Sequence, residues 1–189
     1  MEISNLLFDI GNVLLDLDLP GTRKRFSALR KKSTSVEHFF NSIRPIVHAY
    51  EKGEIPTETF VEQILSHCQP ATDSADIVEI WNDMLLTIPA YRLGMLMALR
   101  ERFNLFVVSN TNALHLERFH DYLVTSHDIT DFEAEYFDEV YYSHQLGMRK
   151  PEPAIYRHIV VDALITPART LYIDDSEECI AAAKKLGFQ

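Results

Sequence analysis

At 189 residues the chain is long enough to bury one full core and carry a modest insertion. Its 47% apolar and 24% charged residues are ordinary for a globular protein. A formal net charge of −10 argues against non-specific nucleic-acid binding, which needs clustered Lys and Arg, but leaves room for a small anionic ligand beside a metal ion. No apolar run nears the roughly 20 residues that cross a bilayer, so no membrane partner is expected. Cys68 and Cys179 stand too far apart for a close metal-binding pair. With no basic leader before the first strand-like segment, they are expected as reduced thiols in a cytoplasm.

In chain order, Ile3 to Phe8 reads as a short buried strand that ends at Asp9 and enters a turn at Gly11-Asn12. From about Leu19 to Pro89 the apolar spacing is helical, as in Phe39, Phe40, Ile43, Val47 and then Phe60, Ile64, Leu65. A break at 51–57 offers Gly53 as a helix C-cap and Thr57 as an N-cap. Tyr91 to Arg102 resumes as a helix. Leu105 to Val108 is a second buried strand, and it ends in Ser109-Asn110-Thr111-Asn112, read as the opening of a helix. Val140 to Tyr142 and Thr170 to Ile173 are further strands, the last ending in Asp174-Asp175. Glu177 to Leu186 is a closing helix with Gly187 as its stop. The chain then ends at Phe188-Gln189, which implies either a truncated product or a sheet with one fewer edge strand. His115, His120, His127 and His144 lack ligand spacing and read as surface or packing residues.

Strands separated by helices, each ending in polar residues, imply an α/β fold: a Rossmann-like parallel sheet with helices on its faces. Ligands of such sheets bind beyond the carboxyl ends of the strands. The expected division is a core of residues 1–18 and 90–189, with a helical cap at 19–89 inserted after the first strand. Asp9, Asp174 and Asp175 then converge on one edge, together with Lys150. Carboxylates so placed repel one another unless a cation sits between them. Mg²⁺ accepts such oxygen ligands, and a carboxylate can attack phosphorus to form an aspartyl-phosphate. Ser109 and Asn110 would offer hydroxyl, amide and backbone N–H groups to phosphate oxygens.

Taken together, Phe8-Asp9-Ile10-Gly11-Asn12-Val13-Leu14, Val108-Ser109-Asn110-Thr111, Lys150-Pro151 and Ile173-Asp174-Asp175-Ser176 resemble the four motifs of the haloacid dehalogenase superfamily. The resemblance spans nearly the whole chain. Ser109 to Asn112 and Leu146 to Glu152 are most similar to the bacterial α-D-glucose-1-phosphate phosphatase-like group. It implies a Mg²⁺-dependent phosphatase of small phosphorylated metabolites, in particular sugar phosphates. Asp9 would be its nucleophile, with Asp9, Asp174, Asp175 and the Gly11 carbonyl holding Mg²⁺. Lys150 would serve catalysis and bind phosphate with Ser109 and Asn110.

Gly11 departs from the pattern of most phosphatases in that superfamily, which carry a second Asp there as general acid and base. Such help is typically worth about 10²–10⁴ in rate. An enzyme without it should favour leaving groups that depart easily, such as the anomeric oxygen of a sugar 1-phosphate. Asp16 is the first candidate for a substitute acid, ahead of Asp18, His48, Glu51 and Glu54. Arg44, His48, Tyr50 and Arg92 are candidates to meet a sugar. Two other readings stand beside the phosphatase. One is a metal-free haloacid dehalogenase, which has no use for the acidic pair Asp174-Asp175. The other is a catalytically silent protein that binds a ligand or partner in the cap cleft. Neither a monomer nor a homodimer is indicated.

Overall fold

The computed structural model describes residues 2–189. Among them four strands form one parallel sheet in the order β3-β2-β1-β4. They are β1 (Asn5–Phe8), β2 (Asn104–Ser109), β3 (Glu139–Tyr142) and β4 (Thr170–Ile173). Asn5 stands level with Asn104 on one side and Thr170 on the other, so β1 lies inside the sheet. Alternation along the strands divides their side chains between two apolar layers. Leu6, Phe8, Leu105 and Val107 pack on α5 (Ala90–Arg100), α6 (Ala113–His127) and α7 (Phe132–Tyr136), through residues such as Leu96, Phe119 and Phe132. Leu7, Phe106, Val108 and Tyr172 pack on α9 (Pro153–Asp162) and α10 (Glu177–Lys185), through Ile155, Ile159 and Ala183. A short helix, α8 (Ser143–Leu146), follows β3 directly. The sheet is thus covered on both faces, and the fold is the α/β, Rossmann-type arrangement expected.

Between β1 and α5 lie four helices: α1 (Leu19–Leu29), α2 (Val36–Glu51), α3 (Thr57–Ser66) and α4 (Ser74–Asn82). They gather around an apolar core of their own, centred on Phe39, Phe60, Ile64 and Ile77. The two chain segments that lead into and out of this insert pair antiparallel. Asp16 exchanges both backbone hydrogen bonds with the 86–87 segment at 3.0 Å, and Asp18 N–H donates to Met84 at 2.9 Å. At the far edge of the sheet, Gln189 N–H donates to Thr170 and its carbonyl accepts from Tyr172, while Phe188 packs in the core.

Several local expectations need correction. Thr57 is the first helical residue of α3 rather than its cap, because Pro56 already occupies the cap position. The Thr57 hydroxyl bonds Tyr50 Oη at 2.8 Å instead. Ser109 does not open a helix: it is the last residue of β2, and α6 starts only at Ala113. Asn112 caps α6, accepting from His115 N–H at 3.1 Å. Gly53 does end α2, at φ +66°, with Glu54 N–H reaching back to Ala49 at 2.9 Å.

Candidate active site

The carboxyl ends of β1, β2 and β4 open into a cleft of about 830 Å³, walled on the opposite side by α2 and the end of α4. Asp9 stands at the end of β1, where its N–H continues the sheet by donating to Ile173 at 2.9 Å. Asp174 and Asp175 follow β4. One oxygen from each of Asp9, Asp174 and Asp175 lies within 4.8 Å of the others. Lys150 enters from the loop before α9 and is 2% exposed, so its charge is almost wholly withdrawn from water. Its Nζ lies 2.9 Å from Asp9 Oδ1 and 2.7 Å from Asp174 Oδ2. Burial alone would lower the lysine, but the charges of Asp9 and Asp174 outweigh it and raise it above the ordinary range. Burial also lifts the Asp9 carboxyl, against the pull of Lys150.

The supporting contacts explain why these groups stand where they do. Asp174 accepts from Ser176 N–H at 2.8 Å and from the Tyr172 hydroxyl. Asp175 is exposed and is held by Asn12, whose Nδ2 donates to it at 2.9 Å. Asn12 takes a left-handed backbone, φ 54°, in the tight loop where the N–H groups of Val13, Leu14 and Leu15 converge on the Ile10 carbonyl. All the acidic donors are hard oxygens, the set that suits a small divalent cation such as Mg²⁺. Gly11 borders the same cleft.

Ser109 and Asn110 both line the cleft, and the Asn110 side chain has a further task. Its side-chain amide clamps the backbone of Lys150, accepting from its N–H at 2.8 Å and donating to its carbonyl at 2.9 Å. The side chain therefore positions the lysine, with one of its two amide N–H groups engaged. Buried Ser143 steadies the same loop, exchanging hydrogen bonds with Thr111 N–H and C=O at 2.9 and 3.0 Å.

Asp16, the first candidate acid, is turned away from the cleft. Its carboxylate pairs with Arg92 at 2.7 Å, and Arg92 also donates to the Leu14 carbonyl at 2.9 Å. Leu15 and Leu17, on either side of it, line the cleft instead. Period-two alternation in this extended segment points Asp16 the other way. Arg92 is withdrawn from the ligand side for the same reason. Asp18 caps α1, accepting from Gly21 N–H at 2.9 Å, and Glu54 pairs with Lys52 at 3.2 Å. Tyr50 is buried, its hydroxyl accepting from Leu114 N–H at 3.2 Å, and it ties α2 to α6. Arg44, His48 and Glu51 do line the cleft. His48 is lowered by burial and by the charges of Arg149 and Arg44, while burial raises Glu51 against the opposing charge of Arg149.

Sequence reasoning named His115 as a surface or packing residue and Glu51 as a cleft candidate, but missed the pairings by which they fasten the insert to the core. His115 lies under the cleft, stacked on Trp81 with ring centres 4.8 Å apart. Its Nδ1 meets Asn112 Nδ2 at 3.2 Å, so that nitrogen accepts and Nε2 donates to the Trp81 carbonyl at 2.9 Å. Burial lowers its pKa to about 4. Arg149 and Glu51 form a second link, 2.9 Å long.

A parallel sheet with an acidic cluster and a buried lysine at its carboxyl edge, and helices inserted after the first strand, is one family's arrangement. The sequence profile of the haloacid dehalogenase-like hydrolases matches residues 3–187, and the chain belongs to that family. A curated relative, D-ribitol-5-phosphate phosphatase of Bacteroides thetaiotaomicron, is 25% identical over 99% of this chain and 90% of its own length. A HAD family enzyme of the same organism, solved with magnesium and inorganic phosphate, is 33% identical, with a TM-score of 0.82. That match covers 99% of this chain and 92% of the other. A predicted HAD-like hydrolase of Porphyromonas gingivalis is 26% identical, with a TM-score of 0.79 over 100% of this chain and 90% of its own. No described helix is long and apolar enough to cross a membrane.

Proposed function

We propose that the chain is a Mg²⁺-dependent phosphatase of small phosphorylated sugars and polyols that works through an aspartyl-phosphate. The observation that carries this reading is the buried Lys150 bridging Asp9 and Asp174 beside the exposed Asp175. Three carboxylates face one ammonium there, and a divalent cation would offset the remaining negative charge, a need that a metal-free dehalogenase does not have. In this reading Asp9, Asp174, Asp175 and the Gly11 carbonyl hold Mg²⁺, which neutralises charge on the phosphate when bound. Asp9 forms a bond to phosphorus as the ester P–O bond breaks, and the alcohol oxygen leaves with that electron pair and gains a proton. Water then attacks the aspartyl-phosphate, releasing inorganic phosphate and restoring the carboxylate. Lys150 and Ser109 hold the phosphate oxygens, and Asn110 keeps Lys150 in place.

The substrate class rests on the relative named for D-ribitol 5-phosphate and on a cleft wall that mixes Arg44, His48 and Glu51 with apolar Leu17 and Val47. Gly11 favours a second version of the substrate, a sugar 1-phosphate, whose anomeric oxygen leaves without an acid at that position. Incubation with p-nitrophenyl phosphate tests the common reading. Phosphate release should require Mg²⁺, stop in EDTA, and fall by at least about a thousandfold in Asp9→Asn. Release that survives EDTA would sink it. Mg²⁺ or phosphate binding without turnover would favour the silent binding protein.

A further inference from the structure

The carboxyl end of α2 places a second charged pair beside the acidic cluster. Arg149 Nε donates to Glu51 Oε2 at 3.0 Å, and Nη2 lies 2.9 Å from the same oxygen. Only 17% of the Glu51 side chain and 16% of the Arg149 side chain are exposed, so the pair is far drier than a surface ion pair. Lys150 follows Arg149 directly, and its charge is felt at Glu51. Arg44, Val47, His48 and Glu51 stand at helical spacing and line the cleft together, so one stripe of α2 faces the site. On that stripe Glu51 spends only one oxygen on Arg149. Its second oxygen, Oε1, has no hydrogen-bond partner among the described residues, yet it is not among the polar atoms sealed from solvent.

The backbone holds the pair as firmly as the side chains do. Gly53, two residues on, packs so closely on α8 that a Cβ there would lie 2.2 Å from the His144 carbonyl oxygen. Lys52 pairs with Glu152 at 3.6 Å. Contacts with the 144–152 segment therefore fix residues 51–53, and the guanidinium anchors one oxygen of the Glu51 carboxylate. The other oxygen is left as an acceptor with no donor of its own.

We infer that Glu51, oriented by Arg149, selects the leaving group by accepting a hydrogen bond at Oε1 from a hydroxyl of a neutral polyhydroxylated alcohol. This rests on the phosphatase reading and deepens it. A ligand without that hydroxyl would cover the oxygen and leave it unpaired, which is how a polar site rejects an apolar analogue. Arg149 is then a positioning residue acting through Glu51.

Two unactivated esters of equal chain length, ribitol 5-phosphate and n-pentyl phosphate, test this in the presence of Mg²⁺. The wild type should prefer the ribitol ester by about ten- to hundredfold in kcat/KM, chiefly through KM. Glu51→Gln should erase most of that preference, and Arg149→Met should move it the same way. Should Glu51→Gln fail to fold, Glu51→Asp keeps the charge, withdraws it by one methylene and should give the same result. If the variants lower both esters equally and the preference stays, Glu51 acts on the shared chemistry, and the inference is overturned. It is also overturned if the wild type hydrolyses p-nitrophenyl phosphate but does not distinguish the two alkyl esters. A wild type inactive on all three esters overturns the phosphatase reading itself, and the inference with it.

Discussion

A Cβ built on Gly11 would lie 2.9 Å from Leu17 Cδ1, the tip of a flexible side chain, and the glycine's φ is outside the left-handed region. A side chain is therefore tolerable there once Leu17 shifts. Gly11→Asp should restore an acid beside the leaving group and raise kcat/KM on glucose 6-phosphate relative to glucose 1-phosphate by about tenfold or more. Equal ratios in the two proteins would dismiss Gly11 as a determinant of ester position. At this scale the sequence was legible wherever a residue ends a strand. Asp9, Asp174 and Asp175 need only the strand pattern to be brought together, and Lys150 needs only its motif. Glu51 was legible only as a cleft candidate; its pairing with Arg149 and the bracing by Ser143 were not, because those partners lie 98 positions apart in one case and 32 in the other. Asp16 misled through nearness in sequence: in extended backbone, the neighbour of a cleft residue faces away from the cleft.

Helix boundaries show the same division between local and distant information. Gly53 was readable as a stop because the left-handed turn is local chemistry, whereas its contact with His144 is not. Gly147 offers a control: it has nearly the same φ, +67° against +66°, but nothing within 4 Å of an added Cβ. Gly147→Ala should cost about 1–2 kcal/mol for the left-handed backbone alone. Gly53→Ala should cost at least about 1 kcal/mol more, since a backbone oxygen blocks it and the end of α2 must lift from the core. Urea unfolding of the two variants measures the difference, and equal losses would contradict the close approach. Similarly, the polar run after β2 was readable as leading into a helix, but which residue caps α6 was not; that residue, Asn112, also accepts at 3.3 Å from Trp81 Nε1 of the insert.

Across the whole molecule, His115 couples the insert to the acid stability of the fold. Its pKa is about 4 in the folded chain against an ordinary 6.5, so below pH 6.5 the unfolded chain binds a proton that the folded chain does not. The stability it contributes is complete above pH 6.5 and is lost as pH falls toward 4, in all about 3 kcal/mol. Asp9 and Glu51, raised by burial, have the opposite slope. His115→Gln should therefore be less stable at pH 7.5 yet lose less on acidification, which urea titrations at pH 7.5, 6 and 4.5 measure. A parallel steepness in the two proteins would refute the assignment. The fold class was legible because four apolar runs alternate with helices. The pairing of β1 with both β2 and β4 was not, since nothing local to Asn5 specifies Asn104 or Thr170.

That pairing also orders events during biosynthesis. β1 leaves the ribosome well before its neighbour, since Asn104 follows 99 positions after Asn5. At cellular rates of translation the strand waits on the order of 5–20 s with its backbone unpaired. The buried core of α1 to α4 draws on residues from Phe26 to Trp81, all of which emerge within that interval. The piece of the chain that looks like an interruption of the sheet is thus the piece free to collapse first, while Asp9 and the strand that carries it are still waiting for a neighbour.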